Sequence, residues 1–440
     1  MLIVLYILVS VTFLVLSTTW LKLHPFLALL LTAFLFGTLA GMEPVALLEI
    51  VNQGFGKTIE GVGIVIVAGI IIGAFLENSG GAQSLAEGII RTIGHQRLYA
   101  GLGAMGLIVS IPVFADSGFI ILSSLQKALA RKTGASVAGT AVALAMGLLA
   151  THTMVPPTPG PVAAAGVLEA DLGLVILIGL LTAVGAMIPT LWFARRFGEP
   201  VTVTVQHEDP TSVPQPLPSI GKAALPILIP IILIVLRSVA AYPTAPLGTG
   251  GFQAFCLFIG HPIIALSVGI LFSLLLPQKL TKDMLSNGGW TGQALKEGTI
   301  VLLITGAGGA FGKVLQAAEL GSLLEQQATV SGMGIWLAFC LAAGLKTAQG
   351  SSTVALITSA SIMAPLLPAM GIETSIEKAI LVVSIGAGAS AISHANDSFF
   401  WVVTQMSGMN VKQGYQLHGV ASGILGLAAM VILSLLYVIL

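Results

Sequence analysis

The chain has 440 residues, 56% of them hydrophobic and 8% charged, with a mean hydropathy of +1.00, whereas an ordinary soluble domain carries about 25% charged residues. Its 18 basic and 18 acidic side chains cancel, so no basic surface marks a nucleic-acid partner, and Cys256 and Cys340 make neither a disulfide framework nor a metal-ligand spacing. The class that fits is an all-α polytopic membrane protein.

In chain order, Leu2 to Trp20 is the first apolar stretch near the ~20 residues needed to span a bilayer. It lacks a basic leader region and has a counterpart in the second half, so it reads as a permanent helix rather than a cleaved signal. Leu27 to Ala40 follows, then a loop over 42–60 with Glu43, Glu49 and Glu60 against Lys57. Arg91 and Arg97 precede a polar interruption, Ser110-Ile-Pro-Val-Phe-Ala-Asp-Ser-Gly118, and Lys127, Arg131 and Lys132 follow it. The positive-inside bias puts both flanks in the cytoplasm, so residues 98–130 enter and return, either as a re-entrant hairpin or as two closely connected spans.

A second interruption, Thr151-His-Thr-Met-Val-Pro-Pro-Thr-Pro-Gly-Pro161, contains Pro156, Pro157, Pro159 and Pro161. Proline has no amide donor and its ring clashes with the preceding turn, so a helix must open there. Leu172 to Phe193 is apolar again, and Gln206 to Ser219 is polar and proline-rich, a linker between the basic residues Arg195, Arg196 and Lys222. Glu60, Glu77, Glu169 and Asp171 read as interfacial loop residues.

The remainder echoes the first part at a nearly constant offset. His24-Pro-Phe-Leu-Ala-Leu is matched by His261-Pro-Ile-Ile-Ala-Leu, Gly73-Ala-Phe by Gly309-Ala-Phe, and Ser84-Leu-Ala-Glu by Ser322-Leu-Leu-Glu. Asp116 falls opposite Gln349 and His152 opposite His394. Loop charge reverses between the copies: Lys279, Lys282 and Lys296 stand where the first copy is acidic, and Glu319 and Glu325 where it has Arg91 and Arg97. Reversed polarity is what two inverted-topology repeats produce. The expectation is a first repeat over 1–200, a cytoplasmic linker over 201–219 and a second repeat over 220–440, with ten spans plus two hairpins, or up to fourteen spans.

The second repeat carries its own interruptions, Lys346-Thr-Ala-Gln-Gly-Ser-Ser-Thr353 and Ser393-His-Ala-Asn-Asp-Ser398. Opened backbone at membrane depth is tolerated only against protein or a water-filled cavity. The four breaks are therefore expected to converge on one cavity. Half-helix N-termini there suit a carboxylate. Ser117, Gly118, Thr153, Lys346, Gln349, Gly350, Ser351, Ser352, Thr353, Asn396 and Ser398 supply the polar lining, which fits a small anion bearing hydroxyl groups. Asp116 and Asp397, with His152 and His394, are the candidate proton carriers. Each has a plainer reading. A histidine at a helix break bonds a backbone carbonyl, Asp397 caps the following helix, Lys346 snorkels to the interface, and the serines tie off opened backbone.

At these four motifs the sequence resembles the bacterial gluconate permease family, the gluconate:proton symporters of the wider ion transporter superfamily. The resemblance runs from Leu23-His-Pro-Phe-Leu-Ala-Leu-Leu-Leu through the proline motif and Gln349-Gly-Ser-Ser-Thr-Val-Ala to Ser393-His-Ala-Asn-Asp-Ser-Phe-Phe-Trp401. It implies proton-coupled uptake of gluconate or a related sugar acid across the inner (cytoplasmic) membrane by an elevator-like movement, with no cofactor, and it points to a homodimer or larger assembly. The chain departs from the family pattern at Thr158 (often His), Ser117 (often Val), Lys346 (often Arg) and Ser352 (often Ala), all in the expected site, so the particular acid stays open. Sodium coupling is an alternative, through opened carbonyls near Ser351 and Asn396. An intramembrane metal-dependent enzyme is the remote one, and the ligand spacing it needs, such as H-E-x-x-H, is absent from the sequence.

Overall fold

Peptide groups in hydrocarbon find no water, so each apolar segment bonds within itself as a helix. The computed structural model describes residues 2–93, 97–203, 217–242, 244, 246–318 and 334–439, and every regular element among them is helical. Residues 204–216 of the expected linker, and the stretch holding Ser322, Glu319 and Glu325, lie outside the described residues.

The first half contains α1 (Leu2–Thr19), α2 (Pro25–Leu39), α3 (Pro44–Asn78), α4 (Gly81–Ile93), α5 (Leu98–Val109), α6 (Ala115–Thr133), α7 (Val137–Met154), α8 (Pro159–Val167) and α9 (Leu172–Gly198). In the second half are α10 (Ile220–Ala240), α11 (Gly251–Ile259), α12 (Pro262–Ser273), α13 (Trp290–Ala317), α14 (Gly334–Gln349), α15 (Ser352–Met363), α16 (Ser375–Ser390), α17 (Ser398–Met406) and α18 (Val411–Ile439). The paired His-Pro motifs act as local start signals: Pro25 and Pro262 each sit in the first turn, where a missing amide is harmless.

Among the described residues six helices are long and apolar enough to cross a membrane, or seven when α11 and α12, bent by 63° at their junction, count as one. Length alone does not reach the ten expected from sequence, because α2 is a shorter apolar helix and α16–α17 is interrupted. At 12 residues, α5 and α15 are each about 18 Å long, well short of about 30 Å of hydrocarbon. These lengths favour hairpins over full spans for α5–α6 and α14–α15.

Two long helices, α3 and α13, pack along each other, with α2 against α13 and α12 against α3. Beside them lie α7 and α16, buried almost throughout and in contact with each other. Helices α5 and α9 flank α7, α14 and α18 flank α16, and α8 packs on α15. The turns of both first-half breaks rest on one face of α3. A Cβ on Gly73 would come within 2.3 Å of the Pro112 carbonyl oxygen, and one on Gly69 within 2.7 Å of the Pro157 carbonyl oxygen.

Gly73→Ala should therefore overpack the α5–α6 turn and destabilise the protein by about 1–3 kcal/mol, read as a lower melting temperature in detergent. Gly56→Ala, on the same helix with open space around it, should not lower it.

Candidate functional site

Each break is a helix end followed by a short turn and a new helix N-terminus. In the first, α5 stops at Val109, Ser110 Oγ donates to the Val113 carbonyl at 2.9 Å, and α6 restarts with Asp116 in its first turn. In the second, α7 stops at Met154 and Val155 turns extended. Pro156 and Pro157 cross the gap, and α8 restarts at Pro159. In the third, Gly350 separates α14 from α15 at φ +76°, and a Cβ there would lie 2.1 Å from the Asn396 carbonyl oxygen, so only glycine fits. In the fourth, α16 ends at Ser390, Ile392 adopts φ +54°, and α17 begins after Asp397.

The four breaks touch in a ring. Break one meets break four where Ser398 Oγ donates to Asp116 Oδ1 at 3.4 Å and the Phe119 and Phe399 rings pack edge to face. Break one meets break two where the Phe114 ring packs on His152, 5.8 Å between centroids. Break two meets break three where Gly160 faces Thr353. Break three meets break four most extensively. The Thr347 carbonyl accepts from His394 Nε2 at 2.9 Å and from Asn396 Nδ2 at 2.6 Å. A carbonyl only accepts, so His394 carries its proton on Nε2.

At the base of this ring Lys346 Nζ lies 2.7 Å from Asp397 Oδ2, with side-chain exposures of 2% and 4%. The ammonium also donates to the Gly350 carbonyl at 3.1 Å. The other carboxylate oxygen of Asp397 caps α17 by accepting from Phe399 N at 3.1 Å. Asp397 is therefore both N-cap and ion-pair partner, while Lys346 does not snorkel. Asp116 and His152 both feel the charges of this pair.

The structure separates the residues singled out from sequence. Asp116, His152, Gln349, Ser351, Thr353, His394, Asn396 and Ser398 all lie at the ring and none is fully buried. Gln349 has both amide atoms, and His152 its Nδ1, buried without a hydrogen-bond partner among the described residues, so these are polar atoms that a bound solute would satisfy. Ser351 caps α15 through Val354 N. Ser352 is buried at the start of α15.

Three residues take different places from those expected. Thr153 is fully buried with its hydroxyl on the Leu149 carbonyl, one turn back in its own helix. Gly118 packs against Leu148. Ser117 turns away toward Glu77, which is helical rather than a loop residue because α3 continues to Asn78. Glu77 lines a cavity of about 110 Å³ with Pro112, Phe114, Trp290 and Glu297. Missed from the sequence altogether was His418, buried behind Ser393. The available signal was an ionisable residue in an apolar helix.

The half-helix tips also differ from a set of four bare N-termini. Asp397 and Ser351 cap α17 and α15, whereas no side chain caps α6 or α8. Of the first three residues of α8, Pro159 and Pro161 have no N–H, leaving only that of Gly160.

Interrupted helices that gather polar side chains and one buried ion pair between long apolar helices define a multi-pass membrane transporter. The solved YdaH transporter of Alcanivorax borkumensis shares the fold, with a TM-score of 0.66 over 94% of this chain and 98% of that one at 16% identity. The GntP family permease model matches residues 2–439, and the chain belongs to that family. It is similar to the gluconate permease of Pseudomonas aeruginosa, 32% identical over 98% of this chain and 97% of that protein. It is also similar to the D-serine transporter DsdX of Escherichia coli K12, 32% identical over 96% and 95%. Such proteins are permeases, and the chain is a transporter rather than an enzyme.

Lys346→Met leaves the Asp397 carboxylate buried and unpaired, which should destabilise the protein by about 3–5 kcal/mol. Adding Asp397→Asn should recover part of that loss in a detergent melt; no recovery would mean that the pair is not what holds the third break to the fourth.

Proposed function

We propose that this chain is a secondary transporter that imports gluconate, or a related small sugar-acid or hydroxy-acid anion, together with protons across the inner (cytoplasmic) membrane. The observation that carries the reading is Asp116, in the first turn of α6, with its carboxylate against Ser398 and within the field of Lys346 and Asp397. The Lys346–Asp397 pair is neutral as a unit. An ionised Asp116 therefore makes the ring negative, and an incoming carboxylate would meet a like charge. At about 4 Å and an effective dielectric near 20, that repulsion is about 4 kcal/mol. One proton on Asp116 removes it and vacates the α6 tip for the solute's own carboxylate. Carried inward, the same proton cancels the cost of about 2.3 kcal/mol per 100 mV of moving a monoanion into a negative interior.

The lining supports a hydroxylated acid. Thr353, Ser398, Asn396 and Gln349 donate and accept around that carboxylate position. The relatives named for gluconate and for D-serine share a carboxylate next to a hydrogen-bonding carbon chain. Beside the C-terminal end of α8, a cavity of about 350 Å³ is lined by Lys57, which pairs with Glu169 at 3.1 Å, and by Lys313 and Lys378, a net positive mouth that would concentrate anions. Sodium coupling is less well supported, because the Gly350 and Thr347 carbonyls already accept from Lys346, His394 and Asn396.

Residues 1–200 and 220–440, joined over 201–219, are read as inverted repeats. The order of a His-Pro helix, a long helix, a helical hairpin and a broken helix recurs in each: α2, α3, α5–α6, α7–α8 and α12, α13, α14–α15, α16–α17. In an elevator-like cycle, the hairpins and broken helices would slide as a unit along α3 and α13.

A panel of labelled sugar acids in proteoliposomes, under imposed pH or Na⁺ gradients, tests substrate and coupling together. Asp116→Asn should abolish accumulation driven by a pH gradient while leaving exchange of labelled for unlabelled substrate measurable. Undiminished accumulation would remove Asp116 from the proton path. Thr353→Val, which keeps shape and loses the hydroxyl, should raise KM several-fold at unchanged expression; an unaltered KM would move the solute away from the α15 tip.

A further inference from the structure

His418 has no part in the scheme above, yet it is built into the same network. It lies on a π-helical turn, Tyr415–Gly419, within α18, and such turns cluster at functional sites. The ring is fully buried against Phe399 and Phe400, with centroids 5.4 and 6.0 Å away. Its Nε2 is 3.0 Å from Ser393 Oγ. Ser393 Oγ in turn donates to Asp397 Oδ2, the oxygen that holds Lys346. On the far side of the ring, Nδ1 is buried with no partner among the described residues. Helices α7, α9 and α17 pack against this turn, and the charged groups that act on the ring are Asp397, at the head of α17, and Lys346 behind it.

A hydroxyl has one proton, so Ser393 can point only one way at a time. With Asp397 ionised, Ser393 donates to the carboxylate and His418 donates from Nε2 to Ser393, leaving Nδ1 bare. With Asp397 protonated, every bond in the row reverses. The carboxyl donates to Ser393, Ser393 donates to Nε2, and the ring proton sits on Nδ1.

We propose that His418, acting through Ser393, is a positioning residue that loads the proton onto Asp397 and thereby opens the Lys346–Asp397 pair. A proton taken up at Nδ1 is matched by one passed from Nε2 to Ser393 Oγ and one passed from Ser393 Oγ to Asp397 Oδ2. One proton enters and one arrives. Ser393 ends as a hydroxyl, and the ring ends neutral, having exchanged Nε2–H for Nδ1–H. Neutral Asp397 no longer holds the ammonium, so Lys346 becomes available to a solute carboxylate. This inference rests on the proton-coupled reading and adds to it a second, buried proton site behind Asp116.

Two measurements test it. In ¹⁵N-histidine spectra of the purified protein, with the His418 signals assigned by difference from His418→Gln, the ring should be Nε2–H while Asp397 is ionised and convert to Nδ1–H as the pH is lowered. The conversion should be lost in Ser393→Ala and kept in Ser393→Thr. A ring that keeps one tautomer throughout, or converts equally well in Ser393→Ala, overturns the relay. In proteoliposomes with labelled gluconate, His418→Gln, whose amide still donates to Ser393 but relays no proton, should lose on the order of tenfold in uptake driven by a pH gradient and retain exchange. Equal loss of both, as a merely structural role would give, overturns the proposal, as does loss of neither. Tautomer conversion in a wild-type protein that takes up no gluconate under a pH gradient would sink the transport reading and leave the relay standing.

Discussion

A peptide group in a bilayer has to find its partner inside the protein, and everything distinctive about this chain follows from opening four helices where that rule is strictest. Some opened groups are answered from across the ring and others within their own break. The Thr347 carbonyl is met by His394 and Asn396, the Gly350 carbonyl by Lys346, and the Phe399 amide by Asp397. Polar residues are present at that depth first to close the backbone. Once gathered for that purpose, they are the groups to which the proposed function assigns a polar solute.

The buried ion pair gives the ring its electrostatic character. Lys346 reaches from the third break to the fourth, so its charge is used in holding the two together. While the pair is closed it does not stand open as a landing point for an anion. The other carboxylate at the ring is Asp116, whose ionised form would repel the very anion that the uncapped helix tips would welcome. Under the proposed function, proton and anion would be linked by Coulomb repulsion, with no conformational signal needed to explain why one accompanies the other.

Much of this was legible in the sequence wherever the cause is local. Proline spacing marks the second break, His-Pro marks two helix starts, and the carboxylate before Ser398 marks an N-cap, since each depends on a few neighbouring residues. The family, too, was legible from its motifs. Which way a side chain faces was not. Helix α7 is buried almost all round, so it has no polar side to orient by, and Thr153 and His152, one residue apart, end in opposite roles. Lys346 and His418 acquire their meaning from partners about fifty and twenty-five positions away, Asp397 and Ser393. No periodicity announces such pairings. Ser117 bonds toward Glu77, away from Ser398, for the same reason: one residue past Asp116 on a helix points to a different neighbour.

The unequal capping of the half-helices makes the two sides of the ring unlike. Where α15 and α17 are sealed by Ser351 and Asp397, and α6 and α8 are not, the acid end of the proposed solute would be drawn toward the amino-terminal half, with its alcohol-bearing carbons extending toward the other. If the solute is a sugar acid, as proposed, it is chiral, and such an orientation would let its handedness be sensed across the seam between the halves. Any rearrangement that widens or narrows that seam would then alter stereochemical preference as well as access.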